Sequence, residues 1–440
     1  MSKTTQPNPA RTAWNSWILL GVAAVLTFLG VVGGMTLWLS KPFENDRYRE
    51  ANALFERANL GQNLNILLLG TDIVASSKAT ATGFRPPTDS FEGRSDTIML
   101  AHFNPEQKKV NVLSVPRDTR TDIPGFGAHK INVANVYGGP ALAARAIGEL
   151  TGAEINRYVR INPQGVVQLI DVLGGVTVYI PKRMKYSDDS QHLYIDLPQG
   201  WHTLSGFQAQ QYLRFRSDEL GDIGRVQRQQ ALLRSLGERA VRPENLLKIG
   251  AILETVQTNI DTNLTIEDIF DLAKFATQID LKRDLQMVLM PGRFSRPGEY
   301  DISYWIPNHN KASQLGVRFF GATAEAGAEA DEPLEPRQVR LTVQNATGVP
   351  GMARQVGRVL QKQGFQVLDY AADRPDPIWR TEIIAQQGNA EAAQLVSDAL
   401  KVGAVRVEAT GSIYTDVTLR IGKDWLKRLE QQQSNKTAYQ

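Results

Sequence analysis

The chain has 440 residues, 42% of them hydrophobic, enough to bury a full core and to form two or three domains. A formal net charge of +3, with no basic tail and no zinc-ligand spacing, argues against a nucleic-acid binder. Cysteine is absent, which excludes disulfides, thiol catalysis and thiolate metal sites, and is compatible with an oxidising exterior.

Residues 17–39 form an uncharged apolar run, long enough to cross a hydrocarbon core of roughly 30 Å. Trp14, Trp17 and Trp38 stand at its ends as interfacial aromatics do, and no small-x-small cleavage site follows, so the run reads as an uncleaved anchor. Lys3 and Arg11 on one side face Lys41, Arg47 and Arg49 on the other, so basic residues do not orient it. A short polar N-terminus before a large remainder favours N-inside, with the main domains outside the cytoplasm. Gly30 and Gly34 make a G-x-x-x-G pair that would support helix dimerisation.

Glu44 to Asn63 reads as a juxtamembrane helix or spacer. Strands are expected at Asn65–Leu69, Thr97–Phe103 and Lys109–Val115, with a Ser/Thr/Gly/Pro-rich loop from Ile73 to Glu92 between the first two. Helices at Pro140–Leu150 and Gly165–Leu173 alternate with strands at Arg157–Ile161 and Val176–Ile180, the mark of an α/β domain. Further helices are expected at Leu204–Leu213, Ile223–Val241, Leu246–Val256 and Ile266–Ile279, and a last strand at Leu285–Met290. The apolar stripe Ile266, Ile269, Phe270, Leu272, Ala273 and Phe275 reads as core. An acidic Ala/Pro linker, Ala322–Pro336, leads to a smaller α/β module with strands at 339–343, 365–368, 381–385, 405–409 and 417–421 and helices at 352–363 and 390–400.

Chemistry concentrates in three places. Arg94-Ser95-Asp96-Thr97 opens one strand and Ser114-Val115-Pro116-Arg117-Asp118-Thr119 closes the next, and strand ends on one sheet edge are where α/β folds gather ligands. Asp96 and Asp118 could hold Mg²⁺, which takes few protein oxygens and completes its shell with water and phosphate, or Mn²⁺, which accepts the same ligands; equally, they could pair with Arg94 and Arg117 or cap turns. The third place is Tyr212–Gln230. Arg214 and Arg216, two apart, would point to one side of an extended segment, and Arg225, Arg228 and Gln229 share one face of a helix for which Asp222 is the candidate N-cap. Arginines at a helix start suit a phosphate or pyrophosphate, although Asp218, Glu219 and Asp222 would also make them an ordinary solvated face.

The set of motifs in order resembles the LytR-CpsA-Psr family of bacterial envelope proteins. It comprises L-L-L-G-T-D (67–72), R-S-D-T (94–97), S-V-P-R-D-T (114–119), K-I-N-V-A (130–134), L-I-D-V-L-G-G-V (169–176), Y-L-R-F-R (212–216) and D-I-G-R-V-Q-R-Q (222–229). The last module, with V-Q-N-A-T-G-V-P-G-M-A (343–353), is similar to the accessory domain often found at the end of such proteins. The resemblance implies a central mixed-sheet α/β catalytic domain flanked by helices, and a phosphotransferase that moves a glycopolymer from a polyprenyl-pyrophosphate carrier to a peptidoglycan hydroxyl. It implies Asp96 and Asp118 as Mg²⁺ ligands and Arg94, Arg117, Arg214, Arg216, Arg225, Arg228 and Gln229 around the pyrophosphate, with Asp96, Arg117, Asp118, Arg214, Arg225 and Arg228 carrying the reaction. Asp72 is a further candidate, and the helices around 166–173 and 246–253 are candidate walls for the lipid tail.

The expected division is 1–16 cytoplasmic, 17–39 membrane helix, 40–63 spacer, 64–320 catalytic domain, 321–337 linker, 338–423 accessory module and 424–440 polar tail. Two other readings stay open: a hydrolase of polyprenyl pyrophosphates using nearly the same residues, and a non-catalytic envelope tether that only binds lipid-linked phosphate. Carboxylates among the arginines favour catalysis, since a pure anion binder gains from them only if a cation joins.

Overall fold

The structure, a computed structural model, describes residues 64–72, 91–189, 192–215, 221–247, 257–323, 334–371, 373–412 and 414–438, together with 250, 252 and 254. The apolar run at 17–39, the spacer, and most of the expected loop and linker lie outside these residues. Among the described residues no helix is long and apolar enough to cross a membrane.

The first sheet is mixed and six-stranded, in the order β11-β6-β1-β2-β3-β12. Its strands are β1 (Leu64–Thr71), β2 (Ser95–Asn104), β3 (Lys109–Ser114), β6 (Arg157–Ile161), β11 (Ile260–Thr262) and β12 (Leu285–Leu289). β1 is apolar on both faces, as an interior strand must be, and pairs antiparallel with β2 and parallel with β6. Between Gly70 and Thr71 the register slips: Gly70 faces Thr97 and Thr71 faces Ser95, so Asp96 has no partner across the ladder. This bulge re-aims the Asp96 side chain and leaves its backbone carbonyl to be satisfied elsewhere.

Around this sheet are the hairpin β4 (Arg120–Ile123)–β5 (Gly127–Lys130), the pair β7 (Val176–Ile180) and β10 (Gly200–Leu204), the hairpin β8 (Met184–Asp188)–β9 (Leu193–Leu197), and the hairpin β13 (Gly292–Phe294)–β14 (Trp305–Pro307). The smaller module is a five-stranded sheet, β16-β15-β19-β17-β18, with strands β15 (Arg340–Asn345), β16 (Gln366–Ala371), β17 (Glu382–Ala385), β18 (Ala404–Arg406) and β19 (Val417–Ile421). Both sheets carry helices, so the expected α/β class holds in each. One buried apolar cluster runs from Leu67, Leu100 and Leu113 of the first sheet to Leu341, Val343 and Leu419 of the second.

Local chemistry explains where helices begin. Asn162 accepts from the Gly165 N–H ahead of Pro163–Val172, and Ser205 with Gln208 forms a capping box ahead of Gly206–Arg214. The helix expected from Pro140 starts at Ala134, because a kink at Gly138 and Gly139 (φ +64° at Gly139) joins an extra turn to its front. The Ile266–Ala276 stripe is core only in part. Phe275 is buried edge-on against Phe103, whereas Phe270 is 55% exposed on the far side of the helix.

Candidate active site

Asp96 and Arg117 meet because β2 and β3 run antiparallel, which places the start of one beside the end of the other. After β3, the Thr119 N–H donates to the Pro116 carbonyl at 2.9 Å, closing a turn with Arg117 and Asp118 at its corners. The Thr119 hydroxyl donates to the same carbonyl at 2.6 Å. Three backbone bonds brace the turn from outside: Ile131 N–H to Thr119 O, Asn132 N–H to Arg117 O, and Trp305 N–H to Asp118 O, at 2.8, 3.2 and 2.9 Å. The two side chains are therefore presented from a fixed loop.

From this corner Arg117 Nη1 donates to both carboxylate oxygens of Asp96, at 3.1 Å each. Arg225, 7% exposed on the helix Gly221–Ala240, reaches the same aspartate from the other side. Its Nη2 lies 3.0 Å from Asp96 Oδ2 and donates at 2.8 Å to the Asp96 carbonyl that the bulge left without a ladder partner. Gln229, one turn on, donates to that carbonyl at 3.3 Å and to Thr97 Oγ1 at 2.7 Å. Burial opposes ionisation of Asp96, but the guanidiniums of Arg225 and then Arg117 outweigh it and hold the carboxyl below the ordinary aspartate range.

Asp72, Arg94, Asp96, Arg117, Asp118, Lys130 and Asn132 line one cavity of about 210 Å³. Asp72 joins because its N–H donates to the Arg94 carbonyl at 3.0 Å and because Gly93 lets the chain pass: a Cβ there would lie 2.1 Å from the Asp72 carbonyl oxygen. Lys130, at the end of β5, puts Nζ 2.8 Å from Asp118 Oδ1. The motif that contains Lys130 and Asn132 is legible in sequence, but their place in the cavity is not. Only the β4–β5 hairpin, folded back over the turn, brings them there.

Other expected residues are placed differently. Arg214 is the last residue of a helix, not part of an extended pair; the chain becomes extended only at Phe215, and Arg214 is not among the residues lining the cavity. Arg216 lies outside the described residues, as do Asp218 and Glu219. Arg228 shares a helical face with Arg225 but donates to the Phe215 carbonyl, with its guanidinium 5.8 Å from the Phe215 ring. It thus braces the segment ending at Phe215, and beside it burial pushes the Tyr212 hydroxyl up to about 12 against the opposing pull of Arg228. Asp222 lies inside the first turn of its helix rather than ahead of it, because the helix begins at Gly221.

The model of the LytR_cpsA_psr family matches residues 40–318, more than half of the chain, and that of the LytR cell envelope-related transcriptional attenuator matches residues 338–425. The chain belongs to the LytR_cpsA_psr family. It is similar to the polyisoprenyl-teichoic acid–peptidoglycan teichoic acid transferase TagU of Oceanobacillus iheyensis, 33% identical over 58% of this chain and 79% of that protein. The TagU of Bacillus anthracis is 27% identical over 67% of this chain and 93% of its own length. Among solved structures, B. subtilis TagV is similar with a TM-score of 0.50 and 25% identity, covering 60% of this chain and 99% of TagV.

Proposed function

We propose that this LytR_cpsA_psr protein is a membrane-anchored phosphotransferase that moves a glycopolymer from a polyprenyl-pyrophosphate carrier to a peptidoglycan hydroxyl. The observation that carries the proposal is the convergence of Arg117, Arg225 and Gln229 on the bulged residue Asp96, beside a cavity lined by carboxylates and cations in equal number. The TagU relatives, named as teichoic acid transferases, support the same chemistry. Phosphoryl transfer needs placement and charge neutralisation more than covalent help, and this arrangement offers both.

The acceptor hydroxyl attacks the sugar-linked phosphorus, the bond from that phosphorus to the bridging oxygen breaks, and lipid phosphate leaves. The hydroxyl proton passes to a cavity carboxylate other than Asp96, which Arg225 and Arg117 keep ionised. Arg94 and Arg117 line the cavity and hold phosphate oxygens, Arg225 acts from behind it through Asp96, Gln229 keeps the arginine helix seated on Thr97, and Lys130 orients Asp118. Arg228 acts through the 212–215 segment, which contains Arg214 and is followed in sequence by Arg216. Asp96 and Asp118 fit Mg²⁺, or Mn²⁺, as two hard oxygen donors on one cavity. Among the described residues no cluster of three His, Cys, Asp or Glu ligands forms, so phosphate oxygens and water would have to complete the shell of an ion held there. Bound there, the ion would supply positive charge to the phosphates. The 17–39 run anchors the chain with its N-terminus inside and its domains outside. The helix Pro163–Val172, with Val166 and Leu169 half-buried and Val172 exposed, offers one wall for the lipid tail.

The test incubates the detergent-solubilised full chain with a short polyprenyl-pyrophosphate glycan, with and without Mg²⁺ and peptidoglycan, alongside Arg117→Ala and Asp118→Ala. Metal-dependent formation of peptidoglycan-linked glycan, lost in both variants, is expected. Donor consumption that ignores the acceptor would make the chain a hydrolase, and tight binding with no turnover would make it a tether.

A further inference from the structure

The smaller module grips the arginine helix from behind. Past β18 the chain runs alongside β12: the Met287 N–H donates to the Val407 carbonyl at 2.8 Å, and Met287 and Glu408 form a parallel bridge. This strip, 407–411, then meets the helix Gly221–Ala240 at three successive points. Gln227 donates to the Gly411 carbonyl at 3.0 Å, Gln230 accepts from the Ala409 N–H at 3.2 Å, and Arg234 Nη2 lies 3.0 Å from Glu408 Oε2. Ala409 is buried with Ile223 and Val226 of the helix and with Leu289 and Trp305.

Gln230 is the hub of this contact. It is 1% exposed, and its amide nitrogen donates to Ser114 Oγ at 2.8 Å and to the Val288 carbonyl at 3.3 Å. A single amide thus ties the helix to the end of β3, two residues before the Arg117 turn, to β12, and to the smaller module. Its neighbour Gln229 uses its own amide on Asp96 and Thr97. Consecutive helical positions point about 100° apart, so the pair fixes the rotation of the helix from two sides, and that rotation aims Arg225.

We propose that Gln230 is a positioning residue for the anion site, and that the smaller module, through residues 407–411, holds the arginine helix in register with Asp96. The inference rests on the anion-site reading above. Glu408 is buried, and although burial opposes its ionisation, Arg234 with Arg406 and Arg420 keeps it charged, so the contact is an ion pair as well as a hydrogen-bonded seam.

The test uses the full chain in detergent and inorganic pyrophosphate as probe. Gln230→Met keeps length and buried volume but loses the three hydrogen bonds, and Glu408→Gln removes the charge that pairs with Arg234 on the far side of the helix. Affinity is read by calorimetry, fold by thermal melting, and helix protection by hydrogen exchange over 221–240. Both variants are expected to bind pyrophosphate at least 5-fold more weakly, with faster exchange in that helix, while the melting transition stays cooperative. A purely structural contact would lower the melting temperature and leave affinity unchanged; that result, in either folded variant, overturns the proposal. If Gln230→Met does not fold, Glu408→Gln decides. Wild-type protein that fails to bind pyrophosphate overturns the anion-site reading and this proposal together, whereas wild-type binding with undisturbed variants overturns this proposal alone.

Discussion

Replacing Arg225 with alanine removes the guanidinium that bonds both the carboxylate and the carbonyl of Asp96, at 3.0 and 2.8 Å. Stripping one partner from a buried ion pair costs about 3–5 kcal/mol when the other charge is stranded. Here Arg117 stays on the carboxylate, and the Asp96 side chain is 19% exposed, so the loss falls nearer that of one charge-assisted hydrogen bond, about 2 kcal/mol. The pH dependence follows from the sign of the shift. In the wild type the folded carboxyl titrates below its unfolded value of 3.8, so its stabilisation is fully present above that pH and fades as pH falls through the lower folded value. Without Arg225, burial pushes that carboxyl up and the stabilisation is smaller at neutral pH. Urea unfolding at pH 7 should show the variant less stable by about 2 kcal/mol, and the gap should narrow below pH 3.8 as Asp96 protonates in both proteins. A variant within about 0.5 kcal/mol of wild type at pH 7, or a gap that persists undiminished into acid, would refute the argument.

Gly93→Ala should destabilise the protein by about 1–3 kcal/mol, read from thermal melting, because its Cβ would meet the Asp72 carbonyl oxygen at 2.1 Å and the backbone must shift. Lys130→Met should change stability by less than about 1 kcal/mol, since the Lys130 and Asp118 side chains are 25% and 27% exposed, yet lower the rate of transfer to peptidoglycan; an unchanged rate would remove Lys130 from the site. His102, buried and 2.8 Å from Asn65 Oδ1, has its pKa pushed down by burial to about 4 from 6.5. A neutral folded histidine gives stability that is whole above pH 6.5 and declines as pH falls toward 4, by up to roughly 3 kcal/mol. Denaturant unfolding between those two pH values should show this slope in the wild type and a shallower one in His102→Gln.

Much of the fold is legible in the sequence because its signals are local. Apolar runs such as Asn65–Leu69 mark interior strands whatever follows, and Ser205 with Gln208 or Asn162 before Pro163 marks a helix start within four residues. The hairpins β4–β5, β8–β9 and β13–β14 escaped that reading, since their strands are short and carry polar or charged residues among the apolar ones. That omission hid Lys130, whose position depends on a hairpin crossing the Pro116–Thr119 turn.

The candidate site divides in the same way. That Asp96, Arg117, Arg225 and Gln229 belong together is what the resemblance to the LytR-CpsA-Psr motifs implies, since residue type and spacing alone leave ordinary ion pairs and a solvated helix face equally open. That Arg225 faces Asp96 while Arg228, three residues on, faces Phe215 was not readable, although both share one helical face. A helical face is broad enough for two long side chains to reach different partners, and the helix rotation that chooses between them is set by residues distant in sequence: the bulge at Gly70 and Thr71, and the strip at 407–411 nearly two hundred positions beyond. Sequence alone thus determined the residue types available to this protein and its longer apolar strands and capped helices. Tertiary structure decided which of those charges meet, because long side chains reach whatever the packing of remote segments places before them.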